Sequence, residues 1–152
     1  MAKAKSPIPP GHHTVTPQLT CDNTAQAIDW YKKALGAEEI ARAVGPDGKI
    51  MHAEIKIGDS LIMVSDATAQ NQPTQTMLYI YVPNVDAVYQ RAVAAGGTSV
   101  MEPMDMFYGD RSGGVKDPSG TQWFIGTHKE DVAPQELKRA EAHLKSQQGK
   151  AA

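Results

Sequence analysis

One stretch of the chain decides the fold: LTCDNTAQAIDWYKKALGAE, residues 19–38. It finishes a short strand and then supplies Asn23, a residue type that commonly caps a helix, with Gln26 three residues further on. Apolar residues then recur at the three- and four-residue spacing of a helix that buries one side. Gly36 follows, where many helices end on a glycine. The stretch therefore predicts a strand followed directly by a helix.

The same signals return 61 residues later, in YIYVPNVDAVYQRAVAAGGTS, residues 79–99. Asn23 is 61 residues from Asn84, and Gly36 is 61 residues from Gly97. A hairpin turn after each of these helices repeats at the same offset. Three marks at one offset indicate that the chain is built from two copies of one unit.

Each unit reads as a strand, a helix and three further strands. In the first unit we expect strands over 14–21, 39–45, 50–57 and 60–65, and in the second over 76–82, 98–102, 111–116 and 121–127. The predicted organisation is a flexible tail (1–13), a first βαβββ module (14–65), a linker (66–75), a second βαβββ module (76–132), and a C-terminal helix and tail (133–152). Each helix covers one side of its sheet, so we expect an α+β fold in which the two modules form a concave sheet around a cavity.

Composition excludes several classes of protein. The 152 residues are 41% hydrophobic with a formal net charge of −2, which suits a folded domain and does not favour nucleic-acid binding. No apolar run approaches the length of a membrane span, and MAKAKSPIPPGHH at the start lacks the apolar core of a secretory signal. Cys21 is the only cysteine, so the expected location is the reducing cytoplasm.

Three features now lie together: the tandem βαβββ pattern, AIDWYKKALGAE at residues 27–38, and DPSGTQWFI at residues 117–125. They resemble the vicinal oxygen chelate superfamily, which includes glyoxalase I, bleomycin-resistance proteins, fosfomycin-resistance enzymes and extradiol dioxygenases. HAEIKIGDSLIMVSD, YGDRSGGVKDPSGTQW and THKEDV are most similar to the PhnB-like branch of that superfamily. The resemblance covers about residues 14–132, and it indicates the fold more than the chemistry.

The metal-dependent members of that superfamily take their ligands from the first and fourth strands of each module. Transferred by motif, these positions fall on Thr16, Met63, Met77 and Phe124. None of the four is an imidazole or a carboxylate, whereas catalytic divalent metals need several nitrogen or oxygen donors. The resemblance therefore implies that the usual metal site is lost, and we expect no metal and no cofactor.

Met63, Met77 and Phe124 instead predict the soft, apolar floor of a small-molecule pocket. Strand alternation adds Tyr79 beside Met77, although Met and Tyr on a strand are as often ordinary core. The full set of predicted ligand-binding residues is Gln18, His52, Glu54, Met63, Met77, Tyr79, Tyr108, Arg111 and Phe124.

His52 and Glu54 alternate on one predicted strand and are the best catalytic candidates. They could form an acid–base pair or two metal ligands, but Lys56 continues the series, which favours a solvated polar face. Near the pocket mouth, Arg111 could grip an anionic group. The same arginine could instead pair with a nearby aspartate to fix its loop, the candidates being Asp105, Asp110 and Asp117. The pair His12-His13 is interpreted as an accident of the tail.

Two classes of function remain open. The first is a metal-free protein that binds a small apolar or aromatic molecule, as bleomycin-resistance proteins do. The second is a metal-dependent or noncanonical lyase, isomerase or dioxygenase-type enzyme that uses His52 and Glu54. The uncovered sheet faces and the thin apolar stripe of the C-terminal helix also predict a homodimer.

Overall fold

The computed structural model describes residues 2–73 and 75–149. The first module contains β1 (Gln18–Cys21), α1 (Thr24–Leu35), β2 (Glu38–Val44), β3 (Ile50–Ile57) and β4 (Ser60–Asp66). The second contains β5 (Met77–Tyr81), α2 (Val85–Ala94), β6 (Thr98–Asp105), β7 (Asp110–Lys116) and β8 (Gln122–His128), and the helix α3 (Pro134–Gln148) follows it. Residue 1 and residues 150–152 of the predicted tails, and residue 74 of the predicted linker, lie outside the described residues; the boundaries of the tails and linker stay predictions.

Two βαβββ modules are confirmed, and they share one topology. The strand orders are β1-β4-β3-β2 and β5-β8-β7-β6, with the first strand parallel to the fourth and the remaining pairs antiparallel. The pairing registers also match, because Gln18 lies opposite Met63 and Tyr79 lies opposite Phe124. Among the described residues the ladders form two separate four-stranded sheets rather than one continuous sheet.

The predicted helix signals have the expected geometry. The Asn23 side-chain oxygen accepts a hydrogen bond from the Gln26 amide at 3.1 Å, and Asn84 accepts one from the Ala87 amide at 3.1 Å. Gly36 ends α1 with φ of 65°, a left-handed conformation that a residue with a side chain rarely adopts. The two helices therefore begin and end for the same local reasons.

Two predicted strand ends are wrong, and proline explains both. The first strand was expected from residue 14, but β1 begins at Gln18, directly after Pro17, whose ring removes an amide donor from the ladder. Thr16 consequently lies outside the strand. The strand expected to stop at residue 102 runs through Pro103 to Asp105, because β6 is an edge strand and an edge tolerates proline.

The helices of the two modules pack against each other in one shared core. The Trp30 indole of α1 donates a hydrogen bond to the Ala92 carbonyl of α2 at 3.0 Å. The Tyr31 ring meets the Trp123 ring of β8 edge-on, with 5.4 Å between centroids. Leu19 and Cys21 are buried on this helix side of β1. Each sheet therefore buries its helix-facing side and leaves the opposite face open.

The C-terminal helix α3 makes little use of its apolar stripe. None of its residues is buried, although Pro134 lies in its first turn as the sequence indicates. Among the described residues, no helix is both long and apolar enough to cross a membrane.

The turn at 117–120 is held by the side chain of Asp117, which is buried. One carboxylate oxygen accepts hydrogen bonds from the Ser119 amide at 2.8 Å and the Thr121 amide at 3.1 Å. The other oxygen accepts one from the Trp123 indole at 2.9 Å. This single carboxylate therefore ties the turn to the shared core.

Replacing Asp117 by alanine should lower the free energy of unfolding by about 3 kcal/mol, because it leaves the Trp123 indole and the Thr121 amide without their acceptor. Urea denaturation measures the change. Asp59→Ala is the matched control, since that aspartate lies in the exposed hairpin turn of the first module and should cost under about 0.5 kcal/mol. Equal losses in the two variants would contradict the role given to Asp117.

Candidate functional site

The open face of the second sheet is rich in aromatic side chains, and we call it the aromatic face. It carries Met77, Tyr79, Tyr81, Asp110, Phe124 and His128. The intervening residues Trp123 and Ile125 are buried in the core, as strand alternation requires. Met77 is 64% exposed and Tyr81 is 67% exposed, so two large side chains of the edge strand β5 lie open beside each other.

Glycine gives this face its depth. The Tyr79 ring lies across Gly126, and a Cβ atom added at Gly126 would overlap the tyrosine hydroxyl and come within 2.8 Å of the ring carbon Cε1. Gly114 is similarly covered, because a Cβ there would lie 3.0 Å from Cε1 of Phe124. Since glycine has no side chain, both rings can lie flat on the strand beside them.

A chain of hydrogen bonds runs along one edge of the aromatic face. The Tyr79 hydroxyl donates to Asp110 Oδ2 at 3.1 Å, and Asp110 Oδ1 lies 2.8 Å from His128 Nδ1. The other ring nitrogen of His128, Nε2, lies 2.8 Å from Asp131 Oδ1. Asp110 and His128 are directly paired residues of β7 and β8, so the ladder itself brings them together.

These contacts shift the pKa values of the groups involved. Burial alone would raise the pKa of Asp110, but hydrogen bonds from His128, Tyr79 and Tyr81 outweigh it and hold that pKa below its usual value. The carboxylates of Asp110 and Asp131 raise the pKa of the His128 imidazole. Burial and the Asp110 carboxylate keep the Tyr79 hydroxyl neutral by raising its pKa. The carboxylate form of Asp110 and the cationic form of His128 are thus each stabilised relative to the free side chain.

The open face of the first sheet is polar, and we call it the polar face. It carries Gln18, Thr20, His52, Glu54 and Met63. Glu54 Oε1 lies 3.6 Å from His52 Nε2 and also 3.6 Å from His12 Nε2. The His12 side chain is only 8% exposed, so the interpretation of His12 as an accident of the tail is wrong. Gly11, beside it, contacts Leu61 of β4.

The residues at the metal-ligand positions of the superfamily are unsuited to bind a catalytic metal in this chain. Among residues 2–73 and 75–149, no group of three or more His, Cys, Asp or Glu side chains is arranged to hold a metal ion. Met63 faces Gln18 across the first sheet, and Phe124 faces Tyr79 across the second. A thioether, an amide, a phenol and a phenyl ring do not make the donor set of a catalytic divalent metal.

Arg111 does not point into the aromatic face. Its guanidinium makes a bidentate contact with Asp86 of α2 at 2.8 and 2.9 Å and a weaker one with Asp105 at 3.3 Å. Residues 110 and 112 face the aromatic side of β7, so the alternation directs Arg111 to the helix side. The contact supports the structural alternative, with Asp86 as a partner that the sequence did not indicate, and corrects the placement of Arg111 at the pocket mouth.

The predicted site residues lie on two different sheets of the chain. Met77, Tyr79 and Phe124 share the aromatic face, with Tyr108 on the turn beside it, while Gln18, His52, Glu54 and Met63 share the polar face. A cleft of about 1010 Å³ between the modules is lined mainly by other residues, among them Leu61, Ile62, Leu78, Ile80 and Arg91. Tyr79 is the predicted residue that reaches this cleft.

Sequence reasoning missed the pair Asp110 and His128 as site residues. The signal was available, because His128 follows Phe124 by four positions on one strand and must share its face. Asp110 was considered only as a partner for Arg111. The sequence alone does not reveal the β7–β8 strand register, which places Asp110 opposite His128.

Comparison with known proteins agrees with this architecture. Residues 11–125 match the family described as the Glyoxalase/Bleomycin resistance protein/Dioxygenase superfamily. Uncharacterized proteins of Mycobacterium bovis and Mycobacterium tuberculosis are each 36% identical over 137 residues, which cover 83% of this chain and 90% and 81% of those proteins. The chain therefore belongs to the glyoxalase/bleomycin resistance protein/dioxygenase superfamily.

Solved structures share the fold at lower identity. TioX from Micromonospora sp. ML1 aligns with a TM-score of 0.66 and 24% identity, covering 76% of this chain and 98% of that one. A PhnB protein from Bacillus cereus aligns with a TM-score of 0.61 and 17% identity, covering 76% and 99%. The resemblance to the superfamily is confirmed, and the fold is shared with a PhnB protein.

Substituting Gly126 by alanine should displace the Tyr79 ring and destabilise the protein by about 1–3 kcal/mol, because the added methyl occupies the place of the ring. In a Tyr79→Ala background the same substitution should cost under about 1 kcal/mol, since the ring is gone. Thermal or urea denaturation of the four proteins measures this coupling. Equal costs in both backgrounds would show that Tyr79 does not lie on Gly126.

Proposed function

We propose that this protein binds a small apolar or aromatic molecule on the aromatic face without a metal ion. The single observation that carries the proposal is the exposure of Met77, Tyr79 and Tyr81 beside Phe124, on a face where the Tyr79 and Phe124 rings lie over glycines. Large apolar side chains exposed together commonly mark a binding surface. The Tyr79 and Tyr81 rings, whose centroids lie 5.1 Å apart, offer a surface on which a flat molecule can stack.

Strand pairing places Gln18 with Met63 and Tyr79 with Phe124, rather than the expected Thr16 and Met77, and these four side chains lack the donors of a catalytic divalent metal. Their chemistry supports binding rather than metal-assisted chemistry. The reducing cytoplasm remains the proposed location, in keeping with the unpaired, buried Cys21. A second candidate function is a noncanonical enzyme that uses His52 and Glu54. The position of Glu54 Oε1 between two imidazoles, each 3.6 Å away, favours that candidate as the alternative.

A neutral aromatic probe tests the binding proposal. 1-Naphthalenemethanol should bind the full chain, and Phe124→Ala should weaken its binding by roughly 1–3 kcal/mol through the loss of ring contact. Isothermal titration calorimetry measures the affinity, and pretreatment with a chelator should leave it unchanged. Val93→Ala, an exposed position of α2, is the control and should have no effect.

Two results would contradict this function. One is a Phe124→Ala protein that loses several kcal/mol of stability while its affinity for the probe stays the same, which would make Phe124 packing only. The other is probe binding that disappears with the chelator. If His52→Ala loses affinity for the probe while Phe124→Ala keeps it, the result would favour the polar face and the enzyme alternative.

We also infer that two chains associate, because α3 and the edge strands β2 and β6 leave apolar side chains uncovered, among them Leu144, Val44 and Met104. Light scattering at micromolar concentration should give twice the chain mass of 16.4 kDa. Leu144→Glu places a charge on the apolar stripe of α3 and should favour the single chain, whereas Lys33→Glu on α1 should not. A mass of 16.4 kDa for the unmodified protein would refute the dimer.

A further inference from the structure

The hydrogen bonds of His128 define its charge. Each ring nitrogen lies 2.8 Å from an oxygen of a different carboxylate, Asp110 on one side and Asp131 on the other. Ionised carboxylates only accept hydrogen bonds, and a neutral imidazole has a single N–H to donate. Both contacts are satisfied together only by the imidazolium, so His128 presents a positive charge at the edge of the aromatic face.

The two partners of His128 are held very differently. Asp110 is 4% exposed, lies within the β7–β8 ladder and also accepts from Tyr79. Asp131 lies beyond β8 in a segment without regular structure, and its side chain is fully exposed. Ion pairs of this exposed kind contribute little, so another carboxylate can replace Asp131 at small cost. Asp110 orients the ring, and the outward Nε2–H is the replaceable contact.

Aromatic side chains lie next to the His128 imidazolium on the same face. Asp110, which contacts Nδ1, also accepts a hydrogen bond from Tyr79, and His128 shares the open side of β8 with Phe124, four residues earlier. The rings of Phe107 and Tyr108, in the turn before Asp110, meet edge-on, with 5.3 Å between centroids. A flat ring on these aromatic side chains would carry its acidic group to the cation.

We propose that the Nε2–H of His128 is an anion-binding group, and that the molecule bound on the aromatic face is an aromatic acid whose carboxylate takes the place of Asp131. The inference rests on the proposed function and adds the chemical class of the ligand to it. In the absence of ligand, the Asp131 carboxylate occupies the place that the ligand carboxylate would take. Asp110 is the positioning residue, because it orients the His128 ring.

Acid binding then depends on pH in a defined direction. The raised pKa of His128 keeps the cation present below that pKa, and the carboxylate contact is lost as the pH rises through it. The titratable groups that contact the ring are Asp110 of β7 and Asp131, and the Tyr79 hydroxyl of β5 binds the other oxygen of Asp110; Tyr81 of β5 lies on the same face. Asp110 stays anionic and the hydroxyls of Tyr79 and Tyr81 stay neutral over this interval, because their pKa values move away from it.

Two probes of similar shape separate the contribution of the carboxylate to affinity from that of the aromatic ring. 1-Naphthoate and 1-naphthalenemethanol differ in the carboxylate alone, and calorimetry on the full chain compares their affinities. We expect naphthoate to bind more tightly than the alcohol, and His128→Gln to weaken naphthoate by roughly tenfold or more while the alcohol is unaffected. Raising the pH should weaken naphthoate in the unmodified protein and leave the alcohol unchanged.

Removing Asp131, the carboxylate that competes with the ligand, should have the opposite effect on affinity. Asp131→Ala should strengthen naphthoate binding a few-fold, because the ligand no longer displaces a carboxylate. Glu130→Ala, which removes the neighbouring exposed charge, should change it less than twofold. Equal affinity of the two probes, an equal loss of both in His128→Gln, or identical effects of Asp131→Ala and Glu130→Ala would each overturn the inference while the proposed function stands. Failure of both probes to bind would overturn the inference and the proposed function together.

Discussion

The contact between the two helices determines which parts of this molecule are available for function. The Trp30 indole binds the Ala92 carbonyl, and the Trp30, Tyr31 and Trp123 rings fill the space around that bond. Because α1 and α2 pack against each other and against the inner sides of their sheets, neither covers an outer side. The only further helix among the described residues is α3, and none of its residues is buried. The open faces are therefore a result of how the core is built.

The repeat preserves geometry while the chemistry of its two copies differs. Gln18 opposite Met63 and Tyr79 opposite Phe124 occupy equivalent places in equivalent sheets. One face has become polar, with a carboxylate between imidazoles, and the other has become aromatic, with a buried carboxylate under a tyrosine. Since backbone pairing and the core on the helix side maintain the scaffold, side chains on the outer faces can differ without loss of the fold.

Local signals were enough to predict most of the fold, and they were not enough for the site. Asn23, Gly36 and the Asp117 turn each act on neighbouring residues, so a single sequence reveals them. His128 and Asp110 are 18 residues apart, and Arg111 reaches Asp86 across 25 residues. Such pairs depend on strand register and on which side of a sheet a helix packs. His12 was misjudged for the same reason, since nothing local indicates that the segment before β1 approaches Glu54.

The contact between aromatic rings and glycine has a consequence for how the protein can evolve. Gly126 lies under the Tyr79 ring and Gly114 lies under the Phe124 ring, and no smaller residue could bring either ring closer to its strand. Any substitution there displaces the ring above it, so change on the aromatic face must come from the side chains around the two rings. Homologues with altered ligand preference should therefore keep these two glycines and vary at 77, 81, 107 and 131, and a lineage that replaces either glycine should have abandoned flat guests altogether.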